Sequence, residues 1–303
     1  MRSIFLRVTA AIGLAVLFAA CGPAATQQQG KTTDPGGGSS VKAASGDALA
    51  EHDRAVKLKN SGDLDEALEA SDAAIEIQAD FARAHFTRGS ILRKLERYED
   101  AAAAFKTARE HDPQYAMAWS MEGAMLIRVK REEEAVESLK KALELEPDEM
   151  QNYLNLGTAL RRLKRLEEAV DLYKTGLEKS PEDLDLLSNQ AVALSKLRRY
   201  EEAIVLLEIA IEKDPKHAEF RVNQAVALRS AKRFEEAAAQ YEKAIDLGAG
   251  ESGLLFDLAY CYENMGKKKK AIATYEKYLT EIGDTNPKAH ARVMKTLKRL
   301  QSK

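Results

Sequence analysis

Asparagine recurs at a fixed interval in this sequence, at Asn155, Asn189 and Asn223, each 34 residues from the next. Asparagine is a poor residue for the middle of a helix, because its amide competes with the backbone for hydrogen bonds. The same amide offers one donor and one acceptor side, which together complement a peptide group. A row of such amides can therefore hydrogen-bond to an extended peptide backbone, whatever its side chains.

No pattern in the sequence predicts catalysis, a metal site or a cofactor. The five histidines are scattered without metal-ligand spacing, and two cysteines cannot build a disulfide framework or a cysteine-based zinc site. The chain has no phosphate-binding loop, no His-Glu-x-x-His and no Gly-x-Ser-x-Gly motif. With 46 basic and 48 acidic residues the net charge is −2, which argues against nucleic-acid binding. We therefore expect that the protein is not an enzyme and has no small-molecule substrate.

One residue, Cys21, is predicted to undergo covalent modification. It follows two arginines, an apolar run of about 13 residues and the small residues Ala19 and Ala20. The run is too short for a transmembrane helix, which needs about 20 residues, and suits a secretory signal. The segment resembles the bacterial lipoprotein signal, although Phe18 stands where an aliphatic residue is usual. The resemblance implies cleavage of residues 1–20 and acylation of Cys21 as a membrane anchor. An ordinary cleaved signal with a chance cysteine is the alternative.

Residues 21–47 are predicted to be the lipidated cysteine followed by a flexible linker. Between residues 22 and 46 the only large apolar residue is Val41. Such a segment cannot bury enough apolar surface to fold. A flexible chain of about 25 residues has an r.m.s. span of roughly 25–30 Å. The folded body that follows can therefore stand off from the membrane.

Residues 48–285 repeat with a period of 34 residues. Prolines recur at this interval from Pro113 to Pro215, and alanines recur at it from Ala67 to Ala271. A fixed period of this length predicts a solenoid. Small residues allow two helices to cross closely, and the proline stops the second helix because it cannot continue the hydrogen-bond ladder.

The 34-residue unit resembles the tetratricopeptide repeat, whose consensus has small residues at positions 8, 20 and 27 and proline at position 32. The unit 116–149 supplies Gly123, Ala135, Ala142 and Pro147 at these positions. Seven units follow one another without insertion: 48–81, 82–115, 116–149, 150–183, 184–217, 218–251 and 252–285. The resemblance implies an all-α, right-handed superhelical solenoid of seven helix-turn-helix repeats.

In the resembled family the first helix of each unit lines a concave groove, and position 6 of the unit points into it. The three asparagines occupy this position, and cations accompany them near the end of the first helix: Arg128, Arg162, Lys196 and Arg229. These cations favour an acidic segment or a C-terminal carboxylate as the bound partner. Two alternatives stay open. The segment from Asn189 to Leu194 recurs verbatim from Asn223 to Leu228, which makes an asparagine a possible relic of duplication. Cations at a helix end also suit its macrodipole.

The seventh unit departs from the pattern, because a run of four lysines covers the place where other units carry an acidic pair: Lys267, Lys268, Lys269 and Lys270. Residues 264–303 contain 11 basic and three acidic residues. Residues 286–303 are predicted to form a basic capping helix that begins with Asn286 as N-cap and Pro287 as first residue. This basic end can steer the protein towards anionic partners or lipid headgroups. A solvated capping helix is the alternative.

Together these features predict a membrane-anchored scaffold that binds proteins. In its order of lipobox, linker and repeats the chain resembles PilW/Tgl-like pilotins, which help secretin subunits of type IV pili to assemble in the outer membrane. It is also similar to NlpI-like adaptors, which dock peptidoglycan hydrolases. In enterobacterial sorting, an aspartate directly after the lipidated cysteine retains the protein in the inner membrane. This chain has Gly22 at that position, so the resemblance implies a location at the periplasmic face of the outer membrane.

Overall fold

The computed structural model describes residues 43–250 and 252–302, which form fifteen α-helices, one short 3-10 helix and no β-strand. Cys21 and the predicted signal segment lie outside the described residues. The elements are α1 (Gly46–Ser61), α2 (Leu64–Ile77), α3 (Ala82–Lys94), α4 (Tyr98–His111), α5 (Ala116–Arg128), α6 (Glu132–Leu145), α7 (Met150–Arg162), α8 (Leu166–Lys179), α9 (Leu184–Lys196), α10 (Tyr200–Lys213), α11 (Ala218–Ser230), α12 (Phe234–Asp246), α13 (Ser252–Asn264), α14 (Lys268–Ile282), the 3-10 helix Gly283–Thr285 and α15 (Pro287–Gln301).

Helices α1 to α14 form seven pairs, in which each odd-numbered helix (the first helix of a unit) packs against the even-numbered helix that follows it. Each second helix also packs against the first helix of the next unit, and α15 packs against α14. The main contacts between helices therefore join neighbours along the chain. The predicted all-α solenoid is confirmed. None of the described helices has the length and apolarity needed to cross a lipid bilayer.

The turn within each unit contains a left-handed residue at position 15, one or two residues after the end of the first helix. The seven residues with positive φ at this position are Gly62, Glu96, Lys130, Lys164, Arg198, Lys232 and Gly266. The following backbone N–H then closes the helix end, as Arg165 N donates to Leu160 O at 2.9 Å. A left-handed conformation costs a non-glycine residue about 1–2 kcal/mol. Five units accept this cost, so packing of the two helices, and not glycine, determines the turn.

The two helices of a unit approach each other most closely at position 8. A Cβ atom added to Gly157 would lie 2.2 Å from Cζ of Tyr173, a residue of α8 that is completely buried. A Cβ atom added to Gly123 would likewise lie 2.5 Å from Cγ of Leu139. The small residue at this position is therefore required by the partner side chain on the second helix.

Helix α15 covers the side of the last unit that no further repeat covers. The Asn286 side chain accepts a hydrogen bond from Ala289 N at 3.1 Å, and Pro287 is the first residue of the helix. Val293 and Leu297 are buried in a small core with Tyr275, which belongs to α14. The amphipathic helix thus replaces the neighbour that unit seven lacks.

Candidate binding surface

The first helices of the units lie on the inner side of the solenoid. Helix α7 contacts both α5 and α9 directly, and α9 also contacts α11. No second helix makes a contact of this extent with the second helix of a neighbouring unit among the described residues. Helices that approach one another more closely lie on the side of smaller radius, and this side forms the groove of a curved array.

The three asparagines lie partly buried on α7, α9 and α11. Each already makes one hydrogen bond within the protein. Asn223 Nδ2 donates to Ser188 Oγ of the preceding unit at 3.1 Å, and Asn189 Nδ2 donates to the backbone oxygen of Asp185 at 2.9 Å. Asn155 Oδ1 accepts from the Gln151 amide at 3.1 Å. In the described part of the chain, the Oδ1 atoms of Asn189 and Asn223 and the Nδ2 atom of Asn155 remain available to a ligand.

Two of the four predicted cations are accessible on this surface. Arg128 is exposed, and its guanidinium carbon lies 4.9 Å from the centre of the Tyr98 ring. Lys196 is the last residue of α9, and partial burial and the positive charge of Arg161 lower its pKa. Arg128 can therefore stabilise an anionic group of a ligand, and a carboxylate would also relieve the repulsion between Lys196 and Arg161.

In two units the cation at position 13 binds the end of the preceding first helix. The sequence predicted only an interaction with the macrodipole of its own helix. Arg162 donates to the backbone oxygen of Ile127, near the end of the preceding first helix, at 2.7 Å, and also pairs with Glu132 at 3.2 Å. Lys94 donates to Lys59 O in the equivalent way at 3.0 Å. These cations satisfy carbonyl groups that a helix C-terminus leaves without partners. Lys94 and Arg162 therefore join neighbouring units, and Arg162 is already engaged within the array.

Arg229 belongs to a largely buried polar cluster between units six and seven. It pairs with Asp257 at 3.5 Å, and Tyr241 donates to the same carboxylate at 3.2 Å. Burial raises the pKa of Asp257, and Arg229 opposes this rise. Cys261, next to the cluster, is completely buried, and its burial raises the pKa of the thiol to about 11. The thiol is therefore protonated and unreactive at neutral pH.

The structure also shows a buried ion pair that the sequence analysis did not identify. Arg109 of unit two donates to both carboxylate oxygens of Glu122 in unit three, and Ser138 Oγ donates to one of them at 3.0 Å. The Glu122 side chain is 5% exposed, and the Arg109 guanidinium lies 3.9 Å from the centre of the Trp119 ring. This pair fixes the contact between two units and offers no free group to a ligand.

The four lysines of the seventh unit are exposed at the start of α14. Lys267 pairs with Glu235 of the preceding unit at 3.3 Å, and the Lys270 ammonium lies 5.1 Å from the centre of the Tyr262 ring. They lie at the end of the array, apart from the asparagines of units four to six. Within the described ranges no cluster of three or more His, Cys, Asp or Glu side chains is suited to a metal ion.

These features define a helical-repeat scaffold with a polar inner surface. One tetratricopeptide repeat model matches residues 52–116, 87–149, 129–183 and 188–252, and a second such model matches residues 228–293. The chain belongs to the tetratricopeptide repeat family. Members of this family bind protein partners or peptides, and the protein is an interaction scaffold of this kind. Scaffolds of the family are typically not enzymes.

Solved structures share this fold at low sequence identity. PilW, a widely conserved type IV pilus biogenesis factor, is 18% identical with a TM-score of 0.63, over 70% of this chain and 98% of PilW. A tetratricopeptide repeat protein from Parabacteroides merdae is 15% identical with a TM-score of 0.63, over 84% of this chain and 99% of that one. YrrB, which has an unusual peptide-binding site, is 24% identical with a TM-score of 0.52, over 62% and 97%. A search of curated proteins found no match.

Proposed function

We propose that the protein is a lipid-anchored scaffold of the bacterial envelope that holds an extended segment of a partner protein along its inner surface. The observation that carries this proposal is the row of partly buried asparagine amides on three successive first helices, with atoms left available for hydrogen bonds. The Oδ1 atoms of Asn189 and Asn223 accept from backbone N–H groups of the ligand, and Asn155 Nδ2 donates to a backbone carbonyl.

The pathway we propose is assembly of an envelope complex of the type IV pilus, in the manner of a pilotin. The order of lipobox, linker and repeats in the sequence supports this role. The fold that the chain shares with PilW is compatible with it. We propose the periplasmic face of the outer membrane as its location, with Cys21 as the anchored residue. An adaptor for peptidoglycan hydrolases is the alternative function.

Changing Asn155, Asn189 and Asn223 together to alanine should weaken partner capture roughly ten- to a thousandfold. Each hydrogen bond contributes about 0.5–1.5 kcal/mol, and three such losses add to a change of this size. The fold should be retained because alanine is the better helix former. The measurement is recovery of crosslinked partners from envelopes by affinity pull-down, with quantitative mass spectrometry.

In the matched control, Thr107 and Thr175 are changed to alanine. Both lie on second helices, and their hydroxyl groups donate to backbone oxygens of the same helix. This control should recover partners as the wild type does. Secretin or pilus proteins among the partners support the pilotin role, and hydrolases support the adaptor role. Unchanged capture by the triple variant would show that the asparagines are a relic of duplication and that partners bind elsewhere.

The Cys21→Ala variant should lose its acyl chains and leave the membrane fraction. Acyl chains anchor a protein through burial of their methylene groups, about 0.8 kcal/mol each, so their loss removes the anchor. The measurement is metabolic labelling with a palmitate analogue, together with membrane fractionation. The Cys261→Ala variant is the control, since that thiol is buried in the repeat array. Equal labelling of wild type and Cys21→Ala would contradict the anchor and leave the inner-surface proposal intact.

A further inference from the structure

The two ends of the array carry opposite charge. Residues 46–81, here called the acidic end, contain ten acidic and three basic residues, a net charge of −7. Residues 264–303, here called the basic end, contain three acidic and eleven basic residues, a net charge of +8. The five units between them carry net charges between −4 and +2. The charge is therefore concentrated where the array has no further repeat to pack against.

The lysines of the basic end do not stabilise the helix that they begin. The N-terminus of a helix carries positive partial charge, so a cation there costs about 0.3–1 kcal/mol. Equivalent helices place a carboxylate at this point, as Glu168 of α8 pairs with Arg165 at 2.5 Å. In α14 the corresponding residues are lysines, and among the described residues Lys268 and Lys269 have no acidic partner. An anionic surface outside the unit would offset this cost.

Further cations of α15 join the same end of the molecule. Arg299 pairs with Glu263 at the end of α13, which brings the C-terminal half of α15 beside the turn that precedes Lys267. Lys295 and Lys298 line an open groove of about 650 Å³ between α14 and α15. The apolar side chains of this groove are Leu279, Met294 and Leu297, and Met294 is 49% exposed. The basic end thus combines cations with an accessible apolar surface.

The acidic end offers the complementary combination. The backbone N–H of Ser45 donates to Gln78 Oε1 at 2.8 Å, which holds the start of α1 beside the end of α2. Leu49 and Ile77 lie near these two helix ends and are 42% and 48% exposed. Exposed carboxylates stand close to them in sequence, at Asp47 and Glu76. Exposed apolar side chains with carboxylates near them in sequence therefore mark one end, and an apolar groove lined also by Lys295, Lys298 and Glu276 marks the other.

We propose that copies of this chain associate head to tail, with the basic end of one copy against the acidic end of the next. The cations of α14 and α15 face the carboxylates of the first unit, and exposed side chains such as Leu49 contact the groove between α14 and α15. Because the two surfaces differ, the contact leaves one free end on each side and generates open chains. The association goes beyond the proposed function and does not depend on Cys21.

The test is sedimentation of the purified full chain over a range of protein and salt concentrations. At about 50 mM salt the weight-average mass should rise with protein concentration above the monomer mass of 33.5 kDa. At about 500 mM salt it should return to the monomer mass, because exposed charges are then screened over a few ångströms. A monomer at every concentration in low salt would overturn the proposal.

Charge reversal identifies the surfaces. Lys268→Glu with Lys269→Glu changes the basic end, and Asp47→Lys with Glu76→Lys changes the acidic end. Each double variant alone should raise the dissociation constant at least roughly tenfold. An equimolar mixture of the two should associate again, because the unchanged basic end of one variant then meets the unchanged acidic end of the other. Lys140→Glu with Lys174→Glu, on exposed positions of the middle units, is the control and should associate as the wild type does.

Two outcomes would contradict the proposal directly. Association that persists unchanged in both end variants would place the contact on another face. A wild-type protein that stays monomeric but binds vesicles containing an anionic phospholipid, and loses this binding in Lys268→Glu with Lys269→Glu, would make the basic end a lipid-binding surface.

Discussion

Replacing Gly157 by alanine should lower the free energy of unfolding by about 2 kcal/mol, although alanine is the better helix former. The added Cβ atom would lie 2.2–2.4 Å from three atoms of the buried Tyr173 side chain. Overpacking of this kind costs about 1–3 kcal/mol and occasionally more. The gain in helix propensity, about 1 kcal/mol, offsets only part of that cost. The measurement is the midpoint of urea unfolding followed by circular dichroism.

Two companion variants separate the steric effect from the change of residue. Gly46→Ala at the start of α1 meets no atom within 4 Å and should be neutral or slightly stabilising. Adding Tyr173→Leu to Gly157→Ala should recover part of the loss, since unit five carries Ala191 with Leu207 at these two positions. If Gly157→Ala is as stable as the wild type, close approach of the helices does not require glycine there.

Replacing Glu122 by alanine should destabilise the array by about 3 kcal/mol. The change leaves the Arg109 guanidinium, whose side chain is only 19% exposed, without its carboxylate partner. Removing one member of a buried ion pair costs about 3–5 kcal/mol, and the partial exposure of Arg109 places the expected loss at the lower end. The measurement is again the unfolding midpoint in urea.

The same unit supplies the control. Glu134 also binds an arginine through both oxygens, with both distances to Arg131 at 2.6 Å, but its side chain is 58% exposed. Glu134→Ala should therefore cost less than about 1 kcal/mol. The double variant Arg109→Leu with Glu122→Leu should recover most of the lost stability, because an apolar pair often replaces a buried ion pair without cost. Equal losses for Glu122→Ala and Glu134→Ala would show that burial does not matter.

Natural sequence variation between the units explains why the ion pair was not predicted. Arg109 and Glu122 occupy positions 28 and 7 of successive units, and at the next interface these positions carry Leu143 and Leu156, which belong to the hydrophobic core. Opposite charges at these two positions, as in Arg109 and Glu122, were a signal available in the sequence. Its meaning depends on knowing that the two positions meet, which the repeat period alone does not show.

The helices were predictable because their evidence is local and repeated. The 34-residue period places small residues at each crossing, and Asn286 with Pro287 marks the start of α15. The state of the asparagine amides was not predictable in the same way. Whether Asn223 reaches Ser188 of the preceding unit depends on the rotation between neighbouring first helices, which is a property of side-chain packing. Residue type thus predicted what each amide can bond, and the structure shows which of its atoms are already in use.

The restriction of the main helix contacts to neighbours has a mechanical consequence. A small rotation at one interface disturbs little packing, yet rotations of the same sense add along the array. The pitch of the superhelix, and with it the distance between the first unit and α15, can therefore change without breaking any single interface. The stiffness of the whole array is then set by the interface that resists rotation least. Links such as Arg109–Glu122 and Arg229–Asp257 stiffen two of these interfaces, so less bending is expected there than at an interface that apolar contacts alone hold together.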